Sequence, residues 1–228
     1  MQQGVITALE VQKRNKDRVS VFLDEAYAFS LSLAAAARLH KGQTLTPSEI
    51  ETLRGDDDVV RATDRAARYL SYRPRSRHEV RTYLIDKEFA DPVVEAALAK
   101  LERLGYLDDV AFARFWVEQR TMFKPLGPHA LRYELRQKGI ANAIIDEALA
   151  AVDAESAAYQ AAASRLQRLR GTDRRTFEAK IGAYLQRRGF RYDVIRTTLA
   201  QLIEMLEAED PAFFTAEDET PQYDQDDT

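Results

Sequence analysis

Arginine is the residue type with the most chemistry to offer in this chain of 228 residues, outnumbering lysine 25 to 8. A guanidinium is planar and permanently charged, and its fork of N–H donors matches a carboxylate or a phosphate. The basic residues gather in three stretches. The first holds Arg73, Arg75, Arg77 and Arg81; the second Lys124, Arg132, Arg136 and Lys138; the third Arg174, Arg175, Lys180, Arg187, Arg188 and Arg191. Such groups suit a phosphate backbone or an acidic protein groove. The plainer reading is that each arginine merely solvates a helix face. Other chemistry is scarce. There is no cysteine, hence no thiol nucleophile, disulfide framework or thiolate metal site. His40, His78 and His129 show no metal-ligand spacing, and His78 reads as a surface residue. The phosphate-loop, dinucleotide, nucleophile-elbow and zinc-protease motifs are missing. Asp108-Asp109 is a conceivable acid–base pair, but Asp108 sits where a helix N-terminus needs an oxygen cap. The expectation is no catalytic residue, no metal and no cofactor.

The elements that would position these cations read as helices. Before them, Val5, Leu9 and Val11, then Val19, Val21 and Leu23, flank a polar turn at 15–17 and predict a β-hairpin. Tyr27, Phe29 and Leu31 suggest a third strand. An Ala-rich helix over 34–39 should stop at Lys41-Gly42. Thr46-Pro47-Ser48-Glu49 is a capping box, so a helix should start at Pro47 and end near Arg54-Gly55, with the acidic 56–58 as a boundary. Ser76-Arg77-His78-Glu79 is a second capping box; Asp91-Pro92 and Gly127-Pro128 look like further helix starts.

From residue 58 onward the chain repeats itself. Phe89, Ile140 and Phe190 are anchors 51 and 50 residues apart. At five matched offsets around them lie Val80, Leu84, Val94, Leu98 and Leu101; Leu131, Leu135, Ile145, Leu149 and Val152; Ile181, Leu185, Ile195, Leu199 and Leu202. All are apolar, at spacings that give one buried stripe per helix. Each copy has room for three helices: 59–72, 76–88 and 92–104; 109–123, 128–138 and 142–152; 155–169, 173–188 and 192–206. Copies two and three turn over at Lys138-Gly139-Ile140 and Arg188-Gly189-Phe190. Copy one has Lys87-Glu88-Phe89, so either Glu88 adopts a left-handed conformation at about 1 kcal/mol or that turn differs. The expected architecture is mainly α: three tandem three-helix repeats (58–106, 107–153 and 154–206) stacked as an elongated curved rod, behind a strand-containing extension over 1–57.

Charge divides the chain further. The net charge is −4, yet residues 207–228 carry nine acids and no Lys or Arg, leaving the repeats basic. The acidic end, with two prolines, reads as a disordered tail, either simply solubilising or competing for the basic strip. No apolar run is long enough for a membrane span and no secretory signal is apparent, which predicts a cytoplasmic protein. Trp116, Phe112 and Phe115 read as core, whereas Tyr69, Tyr72, Tyr83 and Tyr106 are amphipathic rings suited to meeting a partner.

The sequence resembles the RecX family, bacterial regulatory proteins that act on the RecA recombinase. The residues that carry the resemblance are RATDRAARYLSYRPRSRHEVRTYL at 61–84, LGYLDDVAFARFWVEQR at 104–120 and KPLGPHALRYELRQKGI at 124–140, the most specific being YLSYRPRS and GYLDD. It covers 58–206, and 1–57 is similar to the extension of longer members. Glu88 departs from the family's usual turn glycine. The resemblance implies a non-enzymatic protein, a monomer here, bound in the groove of the RecA–DNA filament. There it would inhibit ATP hydrolysis and strand exchange, limit filament growth or promote disassembly, and interfere with RecA-dependent cleavage of the SOS repressor. The candidate filament or DNA contacts are Arg73, Arg75, Arg77, Arg81, Lys124, Arg132, Arg136, Lys138, Arg187 and Arg188. Two further readings stay open: a helical protein binding single- or double-stranded DNA that affects recombination indirectly, and a scaffold for an unrelated protein.

Overall fold

The structure is a computed structural model and describes residues 3–215. The chain divides into two compact units meeting at Asp109 and Val110. The first contains a four-stranded antiparallel sheet in the order β3-β2-β1-β4, formed by β1 (Gly4–Val11), β2 (Arg18–Leu23), β3 (Ala26–Ser32) and β4 (Thr44–Leu45). Period-two spacing sends Ile6, Val19, Val21, Phe29 and Leu31 to one face, and Val21 pairs with Leu9 on one side and Phe29 on the other. Asp24 and Glu25 close the β2–β3 hairpin, both with positive φ, as a tight hairpin turn of right-handed strands requires. The Ala-rich segment yields only a one-turn helix, α1 (Leu33–Ala36).

The helix that begins at Pro47 does not stop at Gly55. It runs on as α2 (Pro47–Leu70), through the acidic triplet expected to be a boundary. Asp57 supplies the reason. It is 3% exposed and accepts both Arg18 contacts, at 2.8 and 2.7 Å, together with the Ser32 backbone N–H at 2.8 Å. The triplet therefore clamps the sheet onto the middle of a helix. Removing one partner of such a buried pair typically costs about 3–5 kcal/mol, because the other charge is left stranded. Thr46 and Glu49 form the reciprocal N-terminal cap, and these hydrogen bonds hold the Glu49 carboxyl below its usual range.

The second half of α2 serves as the first helix of the first three-helix repeat, with α3 (Arg77–Ile85) and α4 (Asp91–Arg103). Ala62 and Ala66 pack against Val80, Leu84, Val94, Leu98 and Leu101. The Ser76 capping box forms as read from sequence. Asp91, expected as a cap, is instead the first helical residue, with Ala90 at the cap position. In the second unit, α5 (Asp109–Phe123), α6 (Pro128–Gln137) and α7 (Asn142–Ala150) form the second repeat. The third comprises α8 (Ala154–Ala163), a 3-10 turn at Leu166–Leu169, α9 (Arg174–Arg187) and α10 (Tyr192–Glu209). Of the eighteen anchor-aligned positions fifteen are buried, and Phe89, Val152 and Leu199 pack partly buried against the same clusters.

The recurrent turn resolves the Glu88 question. Glu88, Gly139 and Gly189 have φ of 63°, 74° and 81°. In each copy the anchor N–H bonds five residues back, to the carbonyls of Leu84, Leu135 and Leu185. Glu88 thus adopts the left-handed form at its intrinsic cost.

One stretch of the expected tail is ordered. The last helix continues to Glu209, and Phe213 and Phe214 pack edge-on against Phe177. Gly171 N–H bonds the Phe213 carbonyl, and Thr215 N–H the Thr172 carbonyl. The acidic composition hid two adjacent phenylalanines whose burial offsets the ordering entropy. The rest of the expected tail, 216–228, lies outside the described residues.

Candidate functional site

The candidate cations divide into those held by acids of their own repeat and those left to solvent. In the first repeat Arg77 reaches Glu95 and Glu102 at 2.6 and 2.7 Å, and Arg81 reaches Asp91 and Glu95 at 2.8 and 2.9 Å. The two guanidiniums hold the Glu95 carboxyl below its usual range, while Glu95 raises Arg77 further. Arg73 pairs with Glu79 at 2.8 Å. Arg75 is mostly buried, its guanidinium lying 4.0 Å over the Tyr69 ring. Asp109 is tied to the start of α3. One of its oxygens accepts the Arg77 backbone N–H at 2.8 Å, and burial raises its pKa despite that bond.

In the second repeat Arg132 pairs with Asp146 at 2.6 Å, which repeats the Arg81–Glu95 contact at matched positions. Among the described residues Arg136 remains exposed and its side chain donates only to that of Asn142, and Lys124 is exposed with no side-chain partner. In the third, Arg187 is exposed and has no side-chain partner among the described residues, while Arg188 donates to the Pro125 carbonyl at 2.8 Å. The ten candidates therefore do not form one equivalent set. Arg73, Arg75, Arg77, Arg81 and Arg132 are largely committed to their own repeats.

A second pattern escaped the sequence reading. Two residues before each anchor stands a cation over an aromatic ring: Lys87 over Tyr83, Lys138 over Trp116 and Arg188 over Tyr184, at 5.6, 5.1 and 4.8 Å. Each ring is flanked by a further partner. Tyr83 stacks on Tyr69 at 4.0 Å, Arg120 covers Trp116 at 4.5 Å, and Arg165 covers Tyr184 at 4.7 Å. The cations also sit at the C-terminal ends of their helices, where the helix dipole favours positive charge. The matched Lys, Lys and Arg before each turn were legible in sequence, as was the ring four residues earlier in Tyr83 and Tyr184; Trp116, which comes from another helix, was not. Trp116 is accordingly neither plain core nor free platform, since its indole N–H also donates to Glu134 at 2.7 Å.

Two concavities accompany these cations. In the first unit a groove of about 1120 Å³ runs between β3 and the outer face of α2, lined by Arg61, Arg65, Arg68, Tyr27 and Tyr72 but also by Asp58 and Asp64. In the second, a pocket of about 210 Å³ lies between the 3-10 turn and α9. Among the described residues no helix is long and apolar enough to cross a membrane.

Comparison with known proteins agrees with this architecture segment by segment. The chain matches the regulatory protein RecX N-terminal domain over 4–46 and the first, second and third RecX three-helix domains over 62–101, 108–149 and 153–199. The Regulatory protein RecX of Lactobacillus delbrueckii is 42% identical over 67% of this chain, a match spanning only 56% of that relative's length. That of Bacillus pumilus is 33% identical over 90% of this chain and 80% of its own. A crystal structure of regulatory protein RecX superposes with a TM-score of 0.71 at 30% identity, covering 86% of this chain and 98% of that one. The RecX of Lactobacillus salivarius gives 0.60 at 27% identity, over 65% and 99%. Three copies of one helical triplet behind a small sheet, each with the same turn, and these similarities along the whole described chain lead to one conclusion: the chain belongs to the RecX family of regulatory proteins.

Proposed function

We propose that this chain regulates the bacterial RecA recombinase. It binds within the RecA–DNA filament and restrains ATP hydrolysis, strand exchange and filament extension, with no catalytic chemistry of its own. The observation that carries the reading is the threefold recurrence, two residues before each anchor, of a cation set over an aromatic ring, with Trp116 of another helix serving in the second copy. A surface motif repeated along a chain complements a partner that is itself repeated, as a filament of identical subunits is. Contacts that are weak singly then add through their covalent linkage. If they favour one filament state over another, they shift that population by the difference in affinity.

The test is RecA ATPase on single-stranded DNA with the chain titrated in. Reversal of Arg73 and Arg75 is a poor probe, because both side chains support the first repeat. Lys124 and Arg136 are exposed and have no carboxylate partner among the described residues, so K124E/R136E is a surface change there. The wild type should inhibit, and the variant should need at least about tenfold more protein for half-inhibition, corresponding to about 1.4 kcal/mol. Absence of inhibition by the wild type defeats the reading; an unchanged titration for the variant defeats the role of the second repeat.

A further inference from the structure

The third repeat departs from the other two in charge, and one of the changed positions, Lys180, lines a pocket of cations. Where the first copy has Glu79, ten residues before its anchor, the third has Lys180. Where the first and second have Glu95 and Asp146, six residues after theirs, the third has Arg196. The Arg81–Glu95 and Arg132–Asp146 pairs thus have no counterpart here, their positions being Gly182 and Arg196. Lys180, Tyr184 and Arg187 lie four and seven residues apart on one face of α9. Opposite them the 3-10 turn brings Arg165 and Arg168. The open concavity there, about 210 Å³, is lined by Arg165, Arg168, Lys180 and Arg187 around Tyr184, with no carboxylate among its lining residues. Arg168, Lys180 and Arg187 are exposed and make no side-chain hydrogen bond or ion pair among the described residues. Arg165 lies over the Tyr184 ring.

We propose that this pocket is an anion site that takes a phosphate group of a nucleic-acid backbone. Four cations around one cavity repel one another, and an anion at their centre removes that repulsion. The forked donors of Arg165, Arg168 and Arg187 fit a tetrahedral oxyanion, with Lys180 as a point charge. The volume equals that of about seven waters, enough for a phosphate group and part of its hydration. Phosphate is common to every nucleotide, so such a contact is indifferent to sequence and holds a strand by charge. It is separate from Lys124 and Arg136, so its failure and the failure of the filament reading are told apart by different variants.

The test compares wild-type full-length chain with K180A/R187A and with K180R/R187K, binding a short fluorescent single-stranded oligonucleotide without RecA between about 50 and 200 mM salt. Each phosphate contact on a single strand contributes about 0.7 to the slope of log affinity against log salt. Loss of two contacts flattens the slope by about 1.4, so the wild type loses about sevenfold more affinity than K180A/R187A across that range. K180R/R187K keeps the wild-type slope, and thermal unfolding checks that all three are folded. An unchanged slope in K180A/R187A overturns the site. Replacement of chloride by inorganic phosphate at constant ionic strength should displace the oligonucleotide only weakly; displacement at submillimolar phosphate reassigns the pocket to a free anion and overturns the nucleic-acid assignment. A K180A/R187A chain that binds DNA normally but no longer binds the RecA filament does the same in favour of a protein partner.

Discussion

The second and third repeats meet through backbone. Gly127 N–H donates to the Arg188 carbonyl at 2.8 Å, and the turn at Gly189 lies against the first residues of α6. A methyl group at Gly189 would stand 2.5 Å from the Ala130 nitrogen and 2.6 Å from its Cβ, and one at Gly127 would fall on the Gly189 carbonyl. Gly171, in the same unit, offers a matched control. Its φ of 78° is close to the 81° of Gly189, yet a methyl group there meets nothing within 4 Å. G171A should therefore cost only the left-handed penalty, about 1 kcal/mol. G189A adds overpacking against main chain that cannot rotate away, about 1–3 kcal/mol more. For a unit running from Val110 to Thr228, at about 2.1 cal/mol/K of unfolding entropy per residue, 1 kcal/mol moves the midpoint by about 4 °C. Thermal unfolding should thus show G171A lower by about 4 °C and G189A lower by about 8–16 °C. Amide exchange at Gly127 should quicken in G189A alone, because that N–H bonds across the junction. Equal midpoints for the two variants, or unaltered protection of Gly127, would refute the backbone approach that joins the two repeats.

Glu88 is the one non-glycine among the three matched turns, so E88G should stabilise the first unit by about 0.5–1 kcal/mol in chemical denaturation; no gain would mean that the left-handed turn is not adopted in solution. Acid should weaken the fold through Glu95, Glu49 and Asp173, whose carboxyls are all held below their usual range. A lowered carboxyl stabilises above its unfolded value, near 4.5 for Glu95, and that contribution disappears as pH falls through the folded one. Asp109 acts in the opposite sense, since burial raises it and the folded form takes up its proton first. E95Q should therefore flatten the acid limb of a stability–pH curve while costing under about 1 kcal/mol at neutral pH, because the pair is largely exposed; a parallel curve would exclude the Arg77–Glu95–Arg81 pairing.

The parts of the fold that sequence conveys are those set by neighbours within a turn or two. Thr46 and Ser76 announce their helices because each cap closes on a glutamate three residues away. The repeat is visible because a buried stripe constrains every third or fourth residue. What sequence hides depends on partners far along the chain. Gly55 and the acids at 56–58 carry every local mark of a helix end, yet Arg18, 39 residues earlier, makes Asp57 the middle of one. Phe213 is lost among acids and prolines until Phe177 is seen beneath it.

The same distinction governs the cations. Counted along the chain, Arg73, Arg77 and Arg81 belong to one short basic stretch and look ready for a partner. Folded, each meets a carboxylate at 2.6–2.9 Å, and Glu95 alone engages two of them. A signal was present in the matched offsets. An arginine eight residues before the anchor recurs with an acid six residues after it in copies one and two, and across a helical hairpin those positions face each other. Copy three lacks both the arginine and the acid, and Lys180, where copy one has Glu79, lines a cavity with no acid in its wall. Arg170, Arg174 and Arg191 of the same repeat do meet carboxylates, so which cations stay available depends on where the acids stand opposite them, not on how many arginines a stretch contains.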